Sequence, residues 1–240
     1  MAIVVSEFTS FSSLNNASAY TCMANVTPPT DGLVILGVVG SRSGGASVAP
    51  TVTGCGLTWN SYASITFNGG IKRLSLYTAR GTPSAGTIHI AFAAGQSHCF
   101  VTSVKCTGES GTLIQSATTT NTGTTTIQAF LSAFSGAGNG SATFFSRTSA
   151  TAVINPFDSS SVSFTPKLGE ALGTGTGSDS GTLASAWTST SWASSGATWT
   201  TAGDSAGIAV EINTAPAVGG AFPAYYTSHY YPHVVAAGAF

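Results

Sequence analysis

The 240-residue sequence contains seven Lys and Arg and eight Asp and Glu, so only 6% of it is charged, where roughly 25% is usual for soluble domains. Hydrophobic residues make up 42% and the mean hydropathy is +0.28, which excludes a disordered chain because disorder requires low hydrophobicity together with high net charge. A net charge of −1 supplies no cationic field for phosphates or anionic lipids, so we expect no nucleic acid and no membrane as a partner.

Strand patterns recur along the whole chain. Segment 33–36 (LVIL) is a continuous apolar run, typical of a central strand that is covered on both faces. Segments 73–78, 87–92 and 207–212 alternate apolar and polar residues, as half-buried strands do, and the alternation in the last of them places Glu211 on the solvent face. Further strands are predicted at 3–8, 18–26, 57–67, 97–107, 124–134, 141–147, 160–168 and 183–200.

Glycine and proline separate these strands, and they predict the fold class. Turn chemistry is found at 27–32, 68–70, 81–84, 136–140 and 155–156, and no long stretch sustains a helical period. Short strands at regular spacing predict an all-β fold, an antiparallel β-sandwich or jelly roll with little helix. One all-β domain can reach about 200–250 residues, so a single β-sandwich domain is predicted for residues 1–213.

Two segments stand apart in composition. Residues 110–146 contain no charged residue, and the Thr-rich stretch 116–126 suits an exposed β-edge or a long loop. Residues 214–240 form an uncharged, extended C-terminal arm rich in proline and aromatic residues. This arm either packs back over its own domain or clasps a neighbouring subunit, where aromatic anchors would fill pockets. The candidate subunit-contact residues are Phe222, Tyr225, Tyr226, Tyr230, Tyr231 and Phe240.

The four cysteines show neither a CxxC motif nor zinc spacing. Cys99 and Cys106 would lie on opposite faces of one strand, about 20 Å apart at 3.3 Å per residue, so they should not pair with each other. Two alternatives remain for Cys22, Cys55, Cys99 and Cys106: buried free thiols, or one or two long-range disulfides.

One motif raises the question of nucleophilic catalysis. Segment 203–207 (GDSAG) matches GxSxG and resembles the serine motif of chymotrypsin-like proteases, and His98 and Asp158 precede it in the triad order. The match fails at Ala206, which replaces the glycine of the oxyanion hole, and a strand rather than a helix follows. We therefore predict a hairpin turn carrying Asp204, no catalytic residue, and a protein that is not an enzyme.

The other titratable residues form no recognisable chemical motif. His229 and His233 are four residues apart, but Pro232 opposes a helix that would bring them together, so neither a metal nor another cofactor is predicted. Lys72, Arg73 and Arg80 are interpreted as a solvated strand edge. No compact pair for glycoside hydrolysis is formed by Asp158, Glu170, Asp179 and Asp204.

The tryptophans allow a different function. Core packing is the default for each of them, and Trp187 and Trp199 share one strand parity whereas Trp192 has the other. Trp59 and Trp192 are the candidates for an exposed sugar-stacking surface, which would make the chain a carbohydrate-binding or adhesive module for a surface glycan.

Five segments together resemble a known type of β-sandwich module. They are 29–36 (PTDGLVIL), 54–60 (GCGLTWN), 73–79 (RLSLYTA), 86–90 (GTIHI) and 199–212 (WTTAGDSAGIAVEI). The sequence is similar over residues 18–213 to jelly-roll-like modules of virion and tail-associated proteins of tailed bacteriophages and of some bacterial surface proteins. The resemblance implies a structural or adhesive module without catalytic residues, from which this chain departs in its four cysteines and its aromatic arm.

These observations predict a non-enzymatic structural protein of a phage particle, either a capsid decoration protein or a tail or fibre subunit. Its partners would be copies of itself or other virion proteins. A neutral, hydroxyl-rich chain with 69 Ser and Thr suits a particle surface, yet its N-terminus has no pattern of a signal peptide. Assembly in the host cytoplasm and release by lysis would reconcile the two, as would leaderless secretion or a mature chain supplied with a new Met.

Overall fold

The computed structural model describes residues 2–136, 138–148, 155–157, 165–167, 181–189 and 194–215. Every regular element within these ranges is a strand, and none of the described residues forms a helix that could span a membrane. The predicted all-β sandwich is confirmed. Its strands are β1 (Val4–Ser13), β2 (Ala17–Val26), β3 (Leu33–Ser41), β4 (Thr51–Gly54), β5 (Asn60–Phe67), β6 (Lys72–Ala79), β7 (Gly86–Gln96), β8 (His98–Thr107), β9 (Glu109–Phe130), β10 (Gly140–Arg147), β11 (Asn155–Phe157), β12 (Thr165–Lys167), β13 (Thr182–Thr188) and β14 (Ser194–Thr214).

The strands form three antiparallel sheets. The central sheet has the order β1-β8-β3-β6-β5, and the N-terminal outer sheet has the order β2-β7-β4. The C-terminal outer sheet has the order β11-β14-β10-β13-β12, with β9 paired to the other side of β14. The first half of the chain therefore builds two sheets, and the second half builds the third.

The central sheet is packed on both faces. All nine residues of β3 are buried, which confirms the central strand predicted from its continuous apolar run. Ile35 and Val39 point into the core shared with the C-terminal outer sheet. Leu36 and Val38 point into the core shared with the N-terminal outer sheet. The described residues thus form a three-layer sandwich with a core between each pair of layers, and two smaller apolar clusters lie along the outer face of the C-terminal sheet and β9.

A glycine sets the contact between the central and C-terminal sheets. Phe144 of β10 is fully buried, and its ring lies over Gly37 of β3. A Cβ atom at position 37 would lie 2.5 Å from Cδ1 of Phe144, much closer than van der Waals contact. The missing side chain therefore provides the space that the phenylalanine ring occupies.

All four cysteines are free and buried, the first of the two alternatives predicted for them. Cys22, Cys55 and Cys99 lie in the core beside the N-terminal outer sheet, and Cys106 lies in the other core. Burial raises the pKa of the Cys99 thiol, and the neighbouring Cys22 thiol raises it further. These thiols act as small apolar side chains.

The buried thiols predict a slow reaction with thiol reagents and a loss of stability in alkali. At pH 8 the native protein should react with Ellman's reagent far more slowly than the protein in guanidinium, which should expose four thiols. Burial raises the pKa of Cys55, Cys99 and Cys106, and that of Tyr20 to about 12. The unfolded state therefore loses protons first as the pH rises above about 8.5, and the free energy of unfolding should fall from there upward. A native thiol that reacts as fast as an unfolded one would contradict this prediction.

Three predictions of local structure are wrong. Residues 155–156 are not a turn but belong to β11, which pairs with β14. Segment 183–200 is not one strand, because β13 ends at Thr188 and β14 begins at Ser194. Segment 203–207 is not a turn but lies within β14, where Ser205 pairs with Arg147 on one side and Asn121 on the other. The glycine at 207 serves packing, since a Cβ there would lie 3.2 Å from Cδ1 of Phe145.

Two charged side chains predicted at the solvent are buried. Lys72 lies on β6, an inner strand between β3 and β5, so it does not belong to a solvated edge. Its Nζ is 3.3 Å from Ser41 Oγ and 3.3 Å from His98 Nε2. Glu211 lies on the expected face of β14, but the loop that follows β9 covers that face, and the residue is fully buried.

Candidate functional site

The most unusual surface of the molecule is a long two-stranded ribbon made by β9 and β14. The strands have 22 and 21 residues and pair along their whole length. The Thr-rich stretch 116–126 lies within β9 and is the exposed β-edge that its composition suggested. Within the described ranges, β9 pairs only with β14, so its other edge is open.

The ribbon bends sharply near its middle. Thr198 pairs with Thr126, and the next pair along the ribbon is Gly203 with Thr124. Between these two pairs β14 therefore uses five residues and β9 only two. Such an excess of residues on one strand is a bulge, which bends and twists the pair. At the bend Gly123 has a φ of +62°, which glycine adopts without strain, and its N–H donates to Asp204 Oδ1 at 3.0 Å.

Side chains beneath the ribbon fix this bend. Arg147 of β10 is buried, and its Nη2 donates to the carbonyl of Thr201 in the bulge at 2.9 Å. Its guanidinium carbon lies 5.2 Å from the ring centroid of Trp199, within the range of a cation–π contact. Trp199 in turn donates from Nε1 to the carbonyl of Thr124 at 2.7 Å. The bend is therefore a packed and hydrogen-bonded part of the fold.

The bend brings the two arms of β9 together around a groove of about 370 Å³. Among the described residues, no charged side chain lines it. Six of the seven lining residues carry a hydroxyl, an amide or only a methyl group, and the seventh is an aromatic ring. The first arm contributes Ala117, Thr118, Thr119 and Asn121, and the second contributes Thr126, Gln128 and Phe130.

Side-chain amides close the two ends of this groove, which we call the β9 groove. At one end the amide of Gln115 binds Ser132 twice, donating to its carbonyl at 3.2 Å and accepting from its N–H at 2.9 Å. At the other end Asn121 Nδ2 donates to the carbonyl of Thr126 at 2.8 Å. These bonds hold the spacing between the arms without filling the groove.

A buried carboxylate supports the Gln115 end. Glu211 accepts hydrogen bonds from Gln115 Nε2 at 2.5 Å, from Asn139 Nδ2 at 2.6 Å, and from both the N–H and the hydroxyl of Ser135. Asn139 Oδ1 then accepts from the N–H of Thr214 at 3.0 Å. This network ties the loop after β9 to β14 and so positions the closed end of the β9 groove.

The polar groups inside the groove remain open to solvent or a ligand. Within the described part of the chain, the amide of Gln128 and the hydroxyl of Thr119 make no hydrogen bond to protein. Phe130 is 61% exposed, the highest exposure of any large apolar side chain described. The surface thus combines hydrogen-bonding groups with one bare aromatic ring.

Sequence reasoning did not identify the β9 groove. Its residues are far apart in the chain, and the only local signals were a Thr-rich stretch without charge and a glycine at its centre. Trp59, a predicted sugar-stacking residue, is half buried against the core, with its Nε1 donating to the carbonyl of Gly54 at 3.2 Å. The other predicted contact residues lie outside the described residues: Trp192, Phe222, Tyr225, Tyr226, Tyr230, Tyr231 and Phe240.

Ser205, the serine of the GxSxG match, has neither the exposed position nor the neighbouring base that a catalytic nucleophile requires. It lies within β14, fully buried, and its Oγ has no hydrogen-bond partner among the described residues. A serine nucleophile requires a base within hydrogen-bond reach. His98, the only histidine considered for that role, is on β8, stacked on Phe100 at 4.5 Å between ring centroids.

The titratable side chains offer no metal centre in the described ranges, because no three His, Cys, Asp or Glu residues there come together. No protein-family model, curated protein or solved structure matches the chain. The geometry of the described residues must therefore support any functional conclusion.

Proposed function

We propose that the protein is a non-enzymatic structural component of a phage particle, a capsid decoration protein or a tail or fibre subunit, which assembles through contacts with neighbouring subunits. One observation carries the proposal. The four exposed large apolar side chains of the described residues, Val4, Leu14, Ile114 and Phe130, all lie on or directly beside two edge strands, β1 and β9.

Edge strands normally carry features that prevent pairing with other chains. Lysine, proline or inward-pointing charge are the usual protective features, because an open edge presents unpaired N–H and C=O groups. Here β9 has no charged residue after Glu109, and β1 has only Glu7. Both strands are long enough, at ten and 22 residues, to form an extended contact.

The remaining surface also favours association. Of the charged side chains described, four are buried, and seven stay at least partly exposed: Glu7, Asp31, Arg42, Arg73, Arg80, Lys105 and Asp204. Charged residues are depleted at the centres of protein interfaces, and a net charge near zero promotes association. An obligate contact between particle proteins buries about 2,000 Å² or more, which two open edges and an aromatic arm could supply.

The proposal predicts that lysine at an edge prevents assembly. Val4→Lys and Ile114→Lys each place a charge on an edge strand, where it would be desolvated by an incoming strand. We expect the full-length wild-type chain to sediment as an oligomer or to occur in regular copies on particles seen by electron microscopy. The double variant should be a folded monomer.

Ala93→Lys is the matched control, because Ala93 is exposed on β7, an inner strand of the N-terminal outer sheet. That variant should assemble as the wild type does. A wild-type protein that is a free monomer in its native source would refute the proposal, and so would normal assembly of the double lysine variant.

A further inference from the structure

We infer that the β9 groove is a binding site for a neutral saccharide. The inference shares Phe130 with the surface proposed for assembly, but it is carried by the polar side chains between the two arms of β9, which that proposal does not use. Its volume of about 370 Å³ is within the range of about 300–1,000 Å³ that small-ligand sites occupy.

The hydrogen-bonding groups of the groove match the chemistry of a sugar. Each hydroxyl of a saccharide donates one hydrogen bond and accepts others, and a side-chain amide or hydroxyl does the same. Gln128 supplies both a donor and an acceptor, and Thr119 adds a hydroxyl, because it lies on the same face of β9 as Gln115 and Asn121. None of these groups is occupied by another described residue, so a ligand would displace only water.

The exposed ring of Phe130 supplies the apolar part of such a site. A pyranose has a face of C–H groups that packs on an aromatic ring, whereas its edge carries the hydroxyls. Phe130 lies at the end of the second arm with 61% of its surface exposed, and exposing so much apolar area to water is unfavourable. A ligand with one apolar face and a polar rim would cover the ring and still reach the amide of Gln128.

The absence of charge in the groove selects a neutral ligand. A uronic acid, a sialic acid or a phosphorylated sugar would enter without a cation to compensate its desolvation. The arms cannot close onto a smaller ligand, because the bonds of Gln115 to Ser132 and of Asn121 to Thr126 fix their spacing. The site is therefore preorganised, which lowers the entropic cost of binding.

The test uses the full-length protein on an array of neutral oligosaccharides built from glucose, galactose, mannose and N-acetylglucosamine, with sialylated and uronic-acid glycans on the same array. We expect binding to at least one neutral glycan and none to the acidic ones. Phe130→Ala and Gln128→Ala should each weaken this binding about tenfold or more, as the loss of one stacking contact or hydrogen bond implies.

Leu14→Ala is the matched control, since it removes an exposed apolar side chain distant in sequence from the groove and should leave glycan binding unchanged. The inference fails if the wild type binds no neutral glycan, if acidic glycans bind equally well, or if both groove variants bind as the wild type does. Loss of glycan binding in Ile114→Lys with full binding in Phe130→Ala would place the glycan at the strand edge instead of the groove and would also overturn the inference. Sedimentation of the same variants measures assembly, so that a failure of glycan binding can be told apart from a failure of the proposed structural function.

Discussion

Glu211→Ala is expected to lower the free energy of unfolding by about 2–3 kcal/mol, because four hydrogen bonds to a buried carboxylate are lost at once. The carboxylate is fully buried and accepts from three side chains, Gln115, Ser135 and Asn139, and from one backbone N–H. Alanine would leave the buried amide of Asn139 without this acceptor, which costs about 1–3 kcal/mol, while the more exposed donors of Gln115 and Ser135 can turn to water. Urea unfolding monitored by tryptophan fluorescence would measure the change.

The same variant should also loosen the loop after β9. Asn139 links Glu211 to Thr214, so amide hydrogens of the described loop residues 131–136 should exchange faster in Glu211→Ala. Glu211→Gln is the control, since it retains one oxygen acceptor and the shape of the side chain, and its loss of stability should be clearly smaller. A loss below about 1 kcal/mol in the alanine variant would show that the network does not stabilise the fold.

Phe144→Ala should destabilise the protein by about 3–5 kcal/mol, as is usual for a buried phenylalanine. Its ring fills the space above Gly37 at the contact between two sheets. Gly37→Ala should also destabilise, by about 1–3 kcal/mol, because the new methyl group overlaps the ring and the core must shift. Both effects can be measured by chemical unfolding.

The double variant tests whether the two residues act on each other. With Phe144 reduced to alanine, the methyl group at position 37 no longer meets a ring and partly fills the cavity. The double variant should therefore be more stable than the sum of the single effects predicts, by at least about 1 kcal/mol of coupling. Phe130→Ala is the control, because it removes an exposed ring instead of a buried one, and it should change the free energy of unfolding by less than about 0.5 kcal/mol. Strict additivity in the double variant would refute the contact.

The sequence was sufficient for the class of fold because local hydrophobic periods identify strands. The continuous run at 33–36 predicted the doubly covered strand β3, and alternation predicted β6, β7 and the end of β14. The four-residue β4 carries too short a pattern to be recognised. The break between β13 and β14 was missed because small and hydroxyl residues continue through it without a strong turn signal.

Local periodicity specifies which face a residue is on, but not what covers that face. The alternation correctly placed Glu211 opposite Val210 and Ile212, yet the covering loop comes from a distant part of the chain. Lys72 was misjudged for the same reason, because its own segment does not reveal whether β6 is an inner or an edge strand. The β9 groove depends on pairs such as Gln115 with Ser132, which only the bend brings together.

The division of the chain between layers has a consequence for its synthesis. The five strands of the central sheet are complete once residue 107 has been made, but the described residues that cover one of its faces belong to β9–β14. At about 5–20 residues per second, the roughly hundred residues that follow take on the order of 5 to 20 s to appear. During that time Ile35, Val39, Leu74 and Leu76, which all belong to the core with the C-terminal outer sheet, have no native partner layer. The nascent chain should therefore bind a ribosome-associated chaperone most strongly in this interval, and a chain truncated after residue 107 should aggregate.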